Sequence, residues 1–344
     1  MTFDLVRLSR QQNELNLAID ALASLDAAPQ LAARLRSFLQ TAVADGLDGL
    51  AATRLVAAGN DRLTTAIIGL TARYHRLPPV AWCWLALGSE GRHEQTFVTD
   101  QDNGLIFAAA DAQEATALRA LFLPFAREVN QRLADCGFTL CTGGIMAGNP
   151  EWCLSLDEWR EQFIEWVRRP APTALLNASI FFDLRPLYGD LSLGEELREL
   201  LLAMTAATPA FLHLMAANAL QAEVPLNFRG DVADNEPLDL KKYGSRIFVD
   251  AARIFALASG TPAVNTSERL QQAGSAARLQ PNEITAVNAA FGHILRLRLA
   301  DQLAPGDVPG LRPGALHEMD RAILREALKQ ARRLQQRLKL NYSL

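Results

Sequence analysis

Long apolar runs and a surplus of positive charge are both missing from this chain of 344 residues. Nowhere does it approach the roughly 18 apolar residues that a spanning helix needs, and the opening MTFDLVRLSRQQNE lacks the apolar segment of a signal peptide. Membrane and secreted classes are disfavoured, and the cytoplasm is the expected location. Lys and Arg number 34 against 38 Asp and Glu, a net charge of -4. That balance argues against an extended nucleic-acid surface built on phosphate neutralisation, while leaving room for a local basic site. The four cysteines, Cys83, Cys136, Cys141 and Cys153, form no CxxC pair and are too few for a disulfide framework. With only His75 and His93 near them in sequence, a structural zinc site is not expected, and a reducing compartment fits.

Hydrophobic residues at 49% and charged residues at 21% supply an ordinary core, and the length suits two or three domains at roughly 100 to 200 residues each. From Phe3 to Tyr74 apolar residues recur at three- and four-residue spacing, as in Leu31, Leu35, Leu39 and Val43, which predicts about three helices. After Pro78-Pro79 the compact run Val80 to Leu87 reads as a buried strand. Further strands are expected at Asn103 to Ala109, near Phe138 to Cys141, and at Ala178 to Leu184. Helices are expected at Gln113 to Asp135 and Asp157 to Arg168, the latter opened by a capping box of Ser155 and Glu158. Helical patterns then run through Glu195–Ala206, Ala210–Ala222, Leu238–Leu257, Glu268–Ala277, Pro281–Leu303 and Ala315–Leu338. The chain is therefore expected to be α+β: helices over 1–78, an α/β domain over 79–190, and a helical bundle over 191–344.

The segment LALGSEGRHEQTFVTDQDNGLIF, Leu85 to Phe107, concentrates the chemistry. On extended chain, residues two apart share a face, so Asp100 and Asp102 would project together with Cα atoms roughly 6 to 7 Å apart. Two carboxylates so placed suit a pair of hard cations, and two-metal phosphoryl chemistry places its ions about 3.5 to 4 Å apart. Gly88 allows close backbone approach, the Ser89 hydroxyl can hold phosphate oxygens, and Arg92 offers a fork-shaped cation to a triphosphate. Gly-Ser-Glu-Gly alone is usually a surface turn and Asp-x-Asp alone a solvated loop. Their conjunction, a dozen residues apart between two strands, carries the weight.

GSEGRHEQTFVTDQDNGLIF resembles the signature of a bacterial nucleotidyltransferase family that often accompanies CBS and cyclic-nucleotide-binding domains. That family is of the polymerase-β-like superfamily and related to the uridylyltransferase that modifies the nitrogen-regulatory signal protein. The likeness extends through GGIMAGNPEW (Gly143–Trp152), FFDLRPLYGD (Phe181–Asp190), LDLKKYGSRIFVDAARIFAL (Leu238–Leu257) and NTSERL (Asn265–Leu270). It implies N-terminal helices, a polymerase-β-like catalytic domain and a helical substrate-binding domain. It also implies transfer of a nucleoside monophosphate from a nucleoside triphosphate to a hydroxyl of a protein or small molecule, in signalling or regulation. The implied cofactor is Mg²⁺, two ions, with Mn²⁺ as a substitute. Gly88 and Ser89 match the nucleotide-gripping pair, and Asp100 and Asp102 the metal carboxylates. Asp183 is the choice for the third carboxylate and general base, its alternative being a partner for Arg185 or a turn cap.

Lys242 and Arg246, with Lys241 and Arg253, would form a basic stripe toward nucleotide or an acidic acceptor; a solvated face paired with Asp239 and Asp250 explains the spacing equally well. Thr266 or Ser267 reads as the cap of the following helix, which brings Arg269 forward as a ligand contact. Glu90 and Glu94 either orient Arg92 or solvate a helix face, and His93 is given no catalytic role. The 78 residues before the catalytic motif are too few and too helical for a CBS pair. They are free to pack on the catalytic domain, to form a homo-oligomer contact, or to replace the missing regulator. A nucleotide-binding regulatory module without catalysis and a helical interaction scaffold are the rival functions.

Overall fold

The computed structural model describes residues 5–234, 236–304 and 310–344. The chain divides into two compact units. The first takes the chain up to Leu47, Thr53–Glu165 and Ile180–Leu201, and the second takes Asp48–Ala52, Trp166–Ser179 and Leu202–Leu344. Among the described residues no single helix is long and apolar enough to cross a membrane.

Three helices open the chain, α1 (Leu5–Asp20), α2 (Ala28–Ala44) and α3 (Gly49–Tyr74). Leu15 and Ile19 of α1 pack with Leu31, Leu35, Phe38 and Leu39 of α2 and Val56 of α3, the four-residue spacing of apolar faces. Strand β1 (Trp82–Ala86) follows, then the single turn α4 (Gly88–Gly91), β2 (Asn103–Phe107) and α5 (Ala112–Asp135). Next come β3 (Cys153–Ser155), α6 (Leu156–Arg168), α7 (Pro172–Phe181), β4 (Arg185–Gly189) and α8 (Leu191–Ala206).

The sheet order is β3-β2-β1-β4. β1 pairs antiparallel with β2, from Trp82 opposite Phe107 to Ala86 opposite Asn103, and antiparallel with β4, while β3 joins β2 in parallel. On one face Trp84, Leu105 and Phe107 share a core with Phe122, Phe125 and Val129 of α5 and Leu63, Ile67 and Leu70 of α3. The N-terminal helices are thus part of the core that supports the sheet. On the other face Gly104 leaves room for the Trp159 ring, a Cβ there falling 3.1 Å from it, and the Trp159 indole donates to the Leu105 carbonyl at 3.1 Å.

Two expected strands are corrected. Ala178–Leu184 is not a strand: helix α7 ends at Phe181 and β4 begins at Arg185. A short apolar run is ambiguous between buried strand and helix, and here Pro172 at the first turn with buried Ala174, Ala178 and Phe181 makes it a helix. The stretch Phe138–Cys141 contributes one bridging residue, Thr139, opposite Asp100. Gly137, at φ +91, ends the preceding turn, and a second turn over 142–143 leaves no length for a ladder. The three-residue β3 was too short for periodicity to reveal. The capping box stands: Ser155 N–H donates to Glu158 at 2.8 Å and Glu158 N–H to the Ser155 hydroxyl at 3.3 Å.

The second unit is helical, with α9 (Pro209–Ala219), α10 (Arg246–Ala258), α11 (Thr266–Ala273), α12 (Pro281–Leu303) and α13 (Glu318–Tyr342). Phe211, Phe248, Phe291 and Leu328 are buried in it. Asn265, rather than Thr266 or Ser267, caps α11, its side chain accepting from the N–H groups of Ser267 and Glu268 at 3.1 and 3.3 Å.

Candidate active site

Antiparallel pairing brings the end of β1, the start of β2 and the start of β4 to one end of the sheet. The ladder runs one step past β1, where Leu87 N–H donates to the Asp102 carbonyl at 2.9 Å. The chain then turns at Gly88, whose φ of +51 lies in the region that favours glycine. A Cβ at Gly88 would stand 2.6 Å from the Asp102 carboxylate, and one at Gly91 would stand 2.1 Å from the Asp183 carbonyl oxygen. The two glycines of the motif therefore clear space for two different segments, one carrying Asp102 and the other Asp183.

Asp100 is exposed, Asp102 and Ser89 are partly exposed, and the intervening Gln101 is buried, so the acids alternate with an inward-facing residue as the spacing requires. The Cys141 thiol, partly exposed, lies against Asp102, and burial together with the Asp102 charge raises its pKa. Asp183 is fully buried and pairs with Arg92 at 2.6 Å, while Arg92 also reaches Glu94 at 2.8 Å. The expected alternative partner, Arg185, goes elsewhere: one of its terminal nitrogens reaches both Asp61 oxygens at 2.8 Å and the Glu90 carbonyl at 3.1 Å.

Glu90 sits inside this arrangement, 6% exposed. Burial, with the Asp61 charge adding and Arg185 opposing, pushes its carboxyl up to about 8. Asp61 is itself raised by burial against the pull of Arg185, and His93, 3.5 Å from Asp61, is pushed down to about 4 by burial and then by Arg185. His93 also takes a left-handed φ of +57. These residues, Glu90 buried and the others half-buried, tie the motif turn to α3 and β4. Asp61 lay beyond sequence reasoning because it stands in an unremarkable helix 27 residues before Gly88.

Lys242 and Arg246 belong to the second unit. Lys242 lies over the Tyr243 ring at 4.8 Å, and Arg246 pairs with Asp250 at 3.2 Å, which also holds Arg253 at 2.7 Å. Lys241 and Lys242 lie in a π-helical turn over Lys241–Ser245, whose wider winding departs from the α-helical spacing, and Arg253 is 2% exposed, so the four cations do not make one exposed stripe.

Among the described residues no group of three His, Cys, Asp or Glu side chains is arranged to hold a metal ion. Asp100 and Asp102 nevertheless fit Mg²⁺, which takes hard oxygen donors and is usually bound through one or two carboxylates, with waters and substrate phosphates completing its octahedron.

Comparison with known proteins gives two family matches. Residues 33–173, which take in most of α2 and all of α3, match the family model described as "Putative nucleotidyltransferase DUF294". Residues 209–342 match the model described as "Putative nucleotidyltransferase substrate binding domain". The chain has no match among curated proteins. With both models laid along it in order, the chain belongs to the DUF294 nucleotidyltransferase family, the family's substrate-binding domain following in sequence.

Proposed function

We propose that this protein transfers a nucleoside monophosphate from a nucleoside triphosphate to a hydroxyl, on a protein or a small molecule, in a signalling or regulatory role. The observation that carries this is the pair of motif glycines, each cleared for a segment bearing one of the acids the chemistry needs. Asp100 and Asp102 would hold Mg²⁺, with Asp183 completing the set. When bound, Mg²⁺ supplies charge neutralisation and Lewis-acid polarisation of phosphate oxygens.

The remaining work falls to the chain. Gly88 and Ser89 bring backbone and hydroxyl to the phosphates, and Arg92 turns its fork toward the triphosphate, giving up Asp183 as it does so. Asp183 takes the proton of the acceptor hydroxyl. The hydroxyl oxygen then bonds to the α-phosphorus, the bond from that phosphorus to the bridging oxygen breaks, and pyrophosphate leaves. Most of the acceleration is positioning and electrostatic stabilisation. Lys242 and Arg246 are assigned to nucleotide or acceptor binding in the substrate-binding domain.

Calorimetric titration of ATP, GTP, CTP and UTP, with and without Mg²⁺, tests this against the Asp100→Asn/Asp102→Asn variant. Metal-dependent binding of one nucleotide that disappears in the variant is the expected result. Binding that survives chelation would replace the enzyme with a regulatory module. No binding by folded wild type would leave a scaffold.

A further inference from the structure

The segment that carries the acids has little sheet to hold it. β2 starts only at Asn103, and ahead of it Asp100 makes one bridge, to Thr139, in a loop that forms no strand. Besides the bond from Leu87 N–H to the Asp102 carbonyl, the segment is held on its opposite side. We propose that the buried amides of Gln101, Asn103 and Asn130 are positioning residues that set how the Asp100 and Asp102 carboxylates are presented, an inference that rests on the metal role given to those acids above.

Asp100-Gln101-Asp102-Asn103 alternates acid and amide, so the extended chain sends the acids one way and the amides the other. Gln101, Asn103 and Asn130 are 2%, 1% and 5% exposed. The Gln101 amide nitrogen donates to the carbonyls of Asn130 and Phe138 at 2.9 and 3.0 Å. Asn130, projecting from α5, donates to the side-chain oxygens of Gln101 and Asn103 at 2.9 and 3.0 Å. The loop closes the network: Ala147 N–H donates to the Asn103 side chain and Gly148 N–H to that of Asn130, both at 2.8 Å. Backbone bonds from Gln101 N–H to Thr139 and from Asn103 N–H to Ile145, at 2.8 and 3.2 Å, run alongside.

One helix residue thus joins the amides of Gln101 and Asn103 and the loop, using both hydrogens and the oxygen of its amide. Apolar side chains would bury as well but would not direct. A residue rotating within an apolar contact keeps its burial, whereas a satisfied amide network holds one orientation and resists every other. On a two-residue repeat, any rotation of Gln101 or Asn103 turns Asp100 and Asp102 as well.

The test uses the full chain with Mn²⁺ alone as the probe, free aqueous Mn²⁺ being counted by electron paramagnetic resonance, alongside urea unfolding. The variants are Gln101→Leu, Asn130→Leu and the two combined, with Asp100→Asn/Asp102→Asn as reference. Removing both partners together leaves fewer orphaned groups than removing either, so the combined variant should unfold at a urea midpoint above the weaker single variant. It should nevertheless bind Mn²⁺ at least fivefold more weakly than wild type. Binding within twofold of wild type in the folded combined variant overturns the inference. Wild type binding no more Mn²⁺ than the Asp100→Asn/Asp102→Asn variant overturns the metal site, and this inference with it, and is recognisable because all the proteins then behave alike. Hydrogen exchange of wild type needs no variant: the backbone N–H groups of Gln101 and Asn103 should exchange as slowly as those of Leu105 and Phe107 in β2. Exchange as fast as at Val98, which is 65% exposed, overturns the positioning role.

Discussion

Replacing Glu90 by Gln should change how stability depends on pH within a narrow window. The folded protein keeps the Glu90 proton up to about 8, against an ordinary value of 4.5, chiefly because the carboxyl is buried. The unfolded chain loses that proton near 4.5, so above that pH the folded state binds one proton more and stability falls as pH rises. The contribution is complete below 4.5 and is lost as pH passes through about 8. His93 has the opposite sense: held down to about 4 from 6.5, it stays neutral when folded, and its contribution is lost as pH falls from 6.5 through about 4. The two oppose each other between 4.5 and 6.5, but from 6.5 to about 8 His93 is neutral in both states and Glu90 governs. At about 1.4 kcal/mol per pH unit, wild type should lose about 2 kcal/mol across that interval. Asp61, also raised by burial, acts in the same direction and is present in both proteins, so their difference isolates Glu90. Urea unfolding curves at pH 6.5 and 8 should show the wild-type midpoint falling clearly further than the Glu90→Gln midpoint. Equal falls in the two proteins would refute a proton on Glu90 in the folded state.

Two further outcomes follow from the same region. Gly88→Ala places a Cβ 2.6 Å from the Asp102 carboxylate at a φ of +51; it should cost about 1 to 2 kcal/mol in thermal unfolding and abolish metal-dependent nucleotide binding, and unchanged binding would contradict the close approach. Arg185→Met leaves Asp61 without its partner, both side chains being less than a fifth exposed; a loss of about 3 kcal/mol in urea unfolding is expected, most of it recovered on adding Asp61→Asn.

Much of the first unit can be read from the chain because its signals are local. Helix α5, the capping box of α6 and the opening of β2 follow from periodicity and from residue types at fixed offsets. That Gly88 and Ser89 follow β1 and that Asp100 and Asp102 precede β2 is legible from two short motifs at the ends of neighbouring apolar runs. What failed depended on contacts far along the chain. Arg92 and Arg185 are equally plausible partners for Asp183 by composition, and only the packing of α3 against the sheet delivers Asp61 to Arg185 and leaves Asp183 to Arg92. Ala178–Leu184 reads as a strand, where α7 in fact runs to Phe181 and β4 begins at Arg185, because an apolar stretch without alternation suits either element. Asn130 is one polar residue on a helix until Gln101 and Asn103 arrive opposite it, although the alternation of amide with acid was there to be seen.

The ion pairs under the motif turn also bear on the order in which the protein can be made. Arg185 and Asp61 are separated by 124 residues, and Arg92 and Asp183 by 91. A ribosome that has released only the first 184 residues has exposed the motif turn, both acids of the Asp-x-Asp pair and the helix bearing Asp61, but has not yet supplied Arg185. The bonds from Arg185 to Asp61 and to the motif turn form only once β4 emerges and pairs with β1. Late arrival of a non-local strand is slow, since loop closure precedes any gain from the contact. A nascent chain paused before β4 therefore carries Asp100, Asp102 and Asp183 on a unit whose motif turn Arg185 does not yet hold.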